Sequence, residues 1–138
     1  MKIKTDFVTN SSSTCFVIMR KGAVTMDEFI KAVGVDANSQ FKDIFENLFE
    51  LCANEMTPMD NFIRSHRWHV KGESNEDFIK KCFSAQTWDR IQKAQKNGYT
   101  IYMGSLSSDE NLIESYFCTE AFVIESDNFI LDATNAGW

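Results

Sequence analysis

The side chains in this sequence that could form covalent bonds with a substrate are few. The chain has two histidines, His66 and His69, and Cys15 stands where a hydroxyl-rich segment gives way to an apolar run. A thiol at such a junction can act as a nucleophile if an imidazole lies within hydrogen-bonding distance. The alternation of Cys15 with Val17 and Met19 favours a small core residue instead. We therefore assign no catalytic residue, and a cysteine-dependent hydrolase or transferase using Cys15 with His66 or His69 remains an alternative.

The spacing of the metal-binding residue types does not predict a metal centre. His66 and His69 are three residues apart, so a helix would place both imidazoles on one side. Two ligands are fewer than the four that structural zinc sites use, and the four cysteines include no CxxC pair. Cys52, Cys82 and Cys118 adjoin apolar residues, which is typical of buried, reduced thiols. We expect neither a metal nor a cofactor.

A basic stretch around Trp68 is a second candidate for binding. Cationic residues interleaved with an aromatic ring can neutralise phosphates and stack on the bases of single-stranded nucleic acid. The end of a helix whose tryptophan packs inward produces the same pattern. Single-stranded nucleic-acid binding is therefore an alternative function. Its candidate residues are Arg64, His66, Arg67, Trp68, His69 and Lys71.

Charge is distributed unevenly along the chain. The net charge of −6 argues against a duplex-DNA binder. Residues 97–138 carry seven acidic residues and no Lys or Arg, whereas residues 64–96 carry eight basic residues against four acidic ones. Basic residues at helix C-termini would account for part of this pattern. An acidic surface that binds a basic groove of a partner protein is the sharper interpretation. Its predicted partner-binding residues are Asp109, Glu110, Glu114, Glu120, Glu125 and Asp127.

Length and composition predict an ordinary globular protein. The chain has 138 residues, of which 43% are hydrophobic and 25% charged, close to the average of a folded domain. We expect residues 1–138 to form one domain. The longest apolar run, residues 15–19, is too short for a signal-peptide core or a membrane span. The sequence therefore predicts a cytoplasmic protein without a membrane partner.

Helical periodicity and capping signals predict about five helices, most of them in the middle of the chain. Thr25 and Ser74 each precede an acidic residue at the spacing of a capping box. Apolar residues recur at steps of three and four over residues 41–52, which predicts one continuous helical face. Thr57 is expected to cap a further helix, with Pro58 at its first position.

A β-branched and aromatic run near the N-terminus and period-two alternation in the C-terminal part predict strands. Residues 15–20 form the expected N-terminal strand and residues 99–103 a second one, followed by a short helix over 108–117. Asp127 and Asn128 suit a two-residue hairpin turn. The predicted core side of that hairpin comprises Phe122, Ile124, Phe129 and Leu131. Together these elements predict a compact α+β domain whose small antiparallel sheet combines the N-terminal strand with C-terminal strands under the helices.

The N-terminal segment carries a recognisable pattern. A Phe-Val-Thr-Asn sequence starts at Phe7, and serines follow it to Ser13 before Phe16. This opening resembles a set of uncharacterised bacterial and bacteriophage proteins that begin Phe-Val-Thr/Ser-Asn-Ser-Ser-Ser. The resemblance covers about the first 16 residues and departs at Thr14 and Cys15, where those proteins tend to have serine. It implies a bacterial, phage or mobile-element origin, so the expected partner is a host protein that handles nucleic acid or acts in defence. It implies no catalytic residue.

Overall fold

The computed structural model describes residues 2–3, 13–36, 38–107 and 120–134 of the chain. These residues form six strands: β1 (Lys2–Ile3), β2 (Ser13–Arg20), β3 (Thr57–Pro58), β4 (Thr100–Ser107), β5 (Glu120–Glu125) and β6 (Phe129–Ala133). The strands pair in one antiparallel sheet, in the order β1-β5-β6-β2-β4-β3. The N-terminal strand β2 shares the sheet with C-terminal strands, as predicted, and lies between β6 and β4.

Five helices accompany the sheet in the described part of the chain. They are α1 (Met26–Val33), α2 (Lys42–Glu55), α3 (Met59–Ser65), α4 (Asn75–Cys82) and α5 (Ala85–Lys96). The Thr25 side chain accepts a hydrogen bond from the Glu28 amide, and Ser74 accepts one from Asp77, which confirms both predicted N-caps. The predicted α+β class is confirmed. None of these helices combines the length and the apolar character that crossing a membrane requires.

Helices cover both faces of the sheet, which therefore has two separate hydrophobic cores. Phe16 on β2 packs in the core under α1 and α2, whereas its neighbour Val17 packs in the core under α3, α4 and α5. Because both of its faces are buried, the middle of β2 is a continuous apolar run rather than an alternation of apolar and polar residues. We call the two sides of the molecule the α1–α2 face and the α3–α5 face.

The chain passes from one face to the other at the edge of the sheet, where one prediction was wrong. Thr57 and Pro58 pair with Met103 and Tyr102 of β4 as a short edge strand. Thr57 makes no capping hydrogen bond, and α3 begins at Met59 after Pro58. An edge strand tolerates proline because its missing N–H need not face a neighbouring strand.

The C-terminal hairpin has the predicted faces. Ile124 pairs with Leu131, and both are buried under the α1–α2 face together with Phe122 and Phe129. The opposite side of the hairpin is covered by α5, so Asp132 on that side is fully buried.

One residue of the predicted apolar stripe is exposed, and several predicted features lie outside the described residues. Phe41 belongs to the predicted apolar stripe, but it precedes α2 and is 55% exposed. The predicted helix over residues 108–117, Cys118 and residues 4–12 lie outside the described residues.

Candidate functional site

The fold brings Cys15 close to one of its two candidate histidines. Cys15 Sγ lies 3.8 Å from Nε2 of His66. His69 Nε2 instead lies 3.2 Å from the carbonyl oxygen of Glu73, within its own loop. Because α3 ends at Ser65, neither histidine is on a helix, so the helical spacing of the two imidazoles does not apply. In the described part of the chain, no group of three or more His, Cys, Asp or Glu side chains could hold a metal ion.

The environment of this pair keeps both groups neutral. Burial, with a smaller contribution from the nearby Cys82, raises the pKa of the Cys15 thiol to about 12. Burial also lowers the pKa of His66, and the positive charges of Arg67 and Lys81 lower it further. A cysteine nucleophile needs a lowered pKa, because the thiolate is the reactive form.

Hydrogen bonding determines which His66 nitrogen carries the proton. The Trp68 amide donates to Nδ1 of His66 at 3.1 Å. A neutral imidazole that accepts at Nδ1 carries its proton on Nε2, so it donates toward Cys15 Sγ and cannot accept the thiol proton. The His66 ring is also packed among the rings of Phe62, Trp68 and Phe78, with centroids 5.3–5.4 Å apart. This arrangement anchors the loop after α3 to the sheet and provides no base for Cys15.

The first prediction concerns the reactivity of Cys15. With iodoacetamide at pH 8, we expect Cys15 in the folded chain to be alkylated more than about 100-fold more slowly than in urea, because a buried thiol of high pKa supplies almost no thiolate. Peptide-resolved mass spectrometry measures this rate separately from those of the other cysteines. Alkylation of folded Cys15 as fast as in the unfolded chain would contradict this prediction and support the alternative of a cysteine-dependent enzyme.

The second prediction is a pH dependence of stability that originates at His66. Below about pH 6.5 the unfolded chain binds a proton at His66 that the folded chain resists, because the folded pKa is lowered. The free energy of unfolding should therefore decrease as the pH falls from 7 to 5.5. The slope of the unfolding free energy against pH should stay below about 1.4 kcal/mol per pH unit, the limit for one proton. Solvent around the half-buried ring keeps the slope below that limit.

Urea unfolding at several pH values measures this effect. His66→Gln should flatten the profile in that window, and His69→Gln is the matched control that should leave it unchanged. An unchanged profile in His66→Gln would contradict the assignment.

The basic stretch is divided by the fold between the surface and the core. Arg64, Arg67 and Lys71 are exposed, whereas Trp68 packs against the core of the α3–α5 face. The Arg67 guanidinium lies over the Trp68 ring, 5.6 Å from its centroid, and Lys81 Nζ donates to the Trp68 carbonyl oxygen at 2.7 Å. Because Arg67 and the core already contact the Trp68 ring, little of it remains for stacking on a base.

The predicted partner-binding acids are described only in part. Asp109, Glu110 and Glu114 lie outside the described residues, as does the side chain of Glu120. The remaining two, Glu125 and Asp127, are exposed at the end of the hairpin.

The turn of the hairpin lies against α1. Asn128 Nδ2 donates to Oε2 of Glu28 at 3.1 Å, and Glu28 lines a shallow groove together with Asp127 and Lys31. The acidic C-terminal hairpin therefore continues into the α1–α2 face.

A larger set of acidic residues on the α1–α2 face was not among the predicted sites. Asp43, Glu46 and Glu50 follow one stripe of α2 and are exposed or half-buried. The sequence feature that indicates this acidic set is the excess of eight acidic residues over two lysines in residues 22–63. We call the following set the acidic surface: Asp27, Glu28, Asp43, Glu46, Glu50 and Asp127.

The acidic surface is not neutralised by ion pairs within the described residues. Of the three ion pairs there, two lie on the α3–α5 face, Lys80–Glu76 and Lys81–Glu73. The third joins Arg90 to the buried Asp132. Because residues 64–96 carry eight of the fourteen Lys and Arg residues, the sheet separates a negative face from a more positive one.

Comparison with known proteins assigns no family to this α+β domain. No family model matches the chain, and no solved structure matches it. The chain is 25% identical over 130 residues to the tetracycline resistance protein TetM of Staphylococcus aureus. That similarity covers 79% of this chain but only 20% of the length of TetM.

Proposed function

We propose that this chain is a protein-interaction module that binds a basic groove of a partner protein through the acidic surface. The observation that carries the proposal is the stripe of carboxylates on α2, which have no ion pair within the described residues. Unpaired surface charges of one sign attract a partner of opposite charge and speed its association. Together with the N-terminal resemblance, this supports an inhibitor of phage or mobile-element origin that acts on a host protein.

The alternative functions have weaker support. A cysteine-dependent enzyme would need a base for Cys15, and the His66 nitrogen nearest to the thiol carries a proton. Single-stranded nucleic-acid binding would need an accessible aromatic ring, and Trp68 packs against the core and Arg67.

Neutralising the acidic surface tests the proposal. The test variant combines Asp43→Asn, Glu46→Gln and Glu50→Gln. The control combines Glu76→Gln, Asp77→Asn and Asp89→Asn, which remove the same charge from the α3–α5 face. Each tagged variant is used to capture proteins from a lysate of the bacterial host, quantified by mass spectrometry, and the affinity of the recovered protein is then measured by calorimetry.

We expect the wild type and the control to retain a basic protein that the test variant loses. The dissociation constant should rise about 3- to 150-fold, because three exposed charge pairs contribute roughly 0.2–1 kcal/mol each. The wild-type affinity should also fall between 0.1 M and 1 M salt, as the screening length shortens from about 10 Å to about 3 Å. Equal binding by the test variant and the control would contradict the proposal.

A further inference from the structure

A small apolar cavity lies on the α1–α2 face, between α1, α2 and the sheet. Its volume is about 80 Å³. Ile18, Phe29, Phe49 and Leu131 are among the apolar side chains that line it, and Arg20 is its one charged lining residue. The exposed Ala53 of α2 also lines the cavity, which therefore reaches the molecular surface.

The volume of the cavity indicates what it can hold. Pockets for small-molecule ligands generally measure about 300–1,000 Å³, so this one is too small to enclose a free metabolite. A cavity of about 150 Å³ accepts benzene, and roughly half that volume accepts about four carbon atoms. This is the size of a leucine or isoleucine side chain. Interfaces concentrate binding energy where one such side chain fills a pocket surrounded by polar residues.

The surroundings of the cavity indicate the chemistry of the occupant. Glu46 and Glu50 lie one helical turn from the lining residues Phe49 and Ala53, so α2 brings two carboxylates near its side of the cavity. The guanidinium of Arg20 is held over the Tyr102 ring, 4.6 Å from its centroid. A guanidinium has five N–H donors and no acceptor, so Arg20 can donate to a peptide carbonyl oxygen at the mouth.

We infer that the cavity receives one leucine or isoleucine side chain from a cationic segment of the partner protein. The acidic surface binds the basic residues of that segment, and Arg20 donates to the carbonyl oxygen beside the inserted residue. The inference rests on the proposed function and adds the element that selects among basic partners. Charge alone would accept many cationic segments, whereas the cavity accepts those that carry an aliphatic side chain at the right position.

Selection of peptides tests the inference without a known partner. A displayed library of random 12-residue peptides is selected on the intact chain at 0.1 M salt. We expect the enriched peptides to be cationic and to share one leucine or isoleucine. Replacing that residue by alanine in a synthetic peptide should weaken binding about 10- to 100-fold, measured by fluorescence anisotropy.

A cavity-filling variant locates the inserted side chain. Ala53→Leu should reduce the affinity of the leucine peptide to that of its alanine analogue. Ala85→Leu, the same change at an exposed residue of α5, should leave the affinity unchanged. Urea unfolding of each variant confirms that it remains folded.

The outcomes separate this inference from the proposed function. Cationic peptides that bind equally with leucine or alanine, or that bind Ala53→Leu as tightly as the wild type, would overturn the cavity inference alone. Enrichment of no cationic peptide would overturn both. Enrichment of peptides that keep their affinity when Glu46 and Glu50 are neutralised would overturn the proposed function and, with it, the cationic nature of the inferred segment.

Discussion

Asp132→Ala should lower the free energy of unfolding by about 3 kcal/mol, the largest stability loss among the variants that we predict. Asp132 is fully buried, and its Oδ2 accepts hydrogen bonds from Thr87 Oγ1 at 2.9 Å and from Arg90 at 2.8 Å. Its Oδ1 accepts from both the amide and the hydroxyl of Thr134. Alanine would leave these donors without their partner, and a buried donor left unpaired costs about 1–3 kcal/mol.

The carboxylate also compensates for a feature of α5. This helix has no acidic residue in its first turn, where a negative charge is favourable. Thr87 lies in that first turn, and its hydrogen bond to Asp132 places the carboxylate beside the N-terminus of α5. Asp132 thereby joins the last described strand to α5.

Urea denaturation measures the loss, with Asp127→Ala as the matched control. Asp127 is exposed in the turn of the same hairpin, so its replacement should change stability by less than about 0.5 kcal/mol. Thr87→Val removes one of the donors and should cost about 1 kcal/mol. A loss below about 1 kcal/mol for Asp132→Ala would contradict the role assigned to this network.

Gly104→Ala should destabilise the fold by about 1–3 kcal/mol, the second largest expected effect. A Cβ atom on Gly104 would lie 2.5 Å from Phe16 Cζ and 2.8 Å from the carbonyl oxygen of Glu55. Phe16 is 1% exposed and pairs with Gly104 across β2 and β4, so its ring has no free space to enter. The Glu55 carbonyl belongs to the last residue of α2, so the added methyl group would push the helix away from the sheet.

Chemical denaturation tests this prediction against Gly22→Ala. A Cβ atom on Gly22 meets nothing within 4 Å, so that variant should differ from the wild type by less than about 0.5 kcal/mol. The double variant Gly104→Ala/Phe16→Leu should lose less stability than the sum of the two single losses. The smaller leucine side chain leaves room for the added methyl group. A Gly104→Ala protein as stable as Gly22→Ala would show that the contact relaxes at no cost.

Local sequence signals predicted the elements whose causes are local. Thr25 and Ser74 cap helices because their hydroxyls reach amides three residues away, and only neighbouring residues decide that. The hairpin faces followed from alternation around the Asp127–Asn128 turn for the same reason. The position of Thr57 was predicted wrongly because its backbone pairs with β4, more than 40 residues away.

The candidate site depended far more on distant contacts. The sequence offered His66 and His69 as alternative partners of Cys15. In the folded chain, Nε2 of His66 lies 3.8 Å from Cys15 Sγ. Folding also placed the Trp68 amide where it donates to Nδ1 of His66, so that Nε2 carries the proton that points toward Cys15. Trp68 lies in a turn that no helical pattern predicts. The second predicted strand also ended too early, at residue 103, whereas β4 continues to Ser107 because it pairs with β2 along its whole length.

The sequence by itself determined the α+β class, the caps at Thr25 and Ser74, the hairpin and the excess of negative charge, because each depends on composition or on residues within a few positions of one another. Only the tertiary structure decided that the sheet has two covered faces, that Asp132 is buried, and that the carboxylates of α2 and the hairpin turn share one side of the molecule. These properties arise where distant segments meet, and their energies depend on distances and solvent exclusion that exist only in the folded chain.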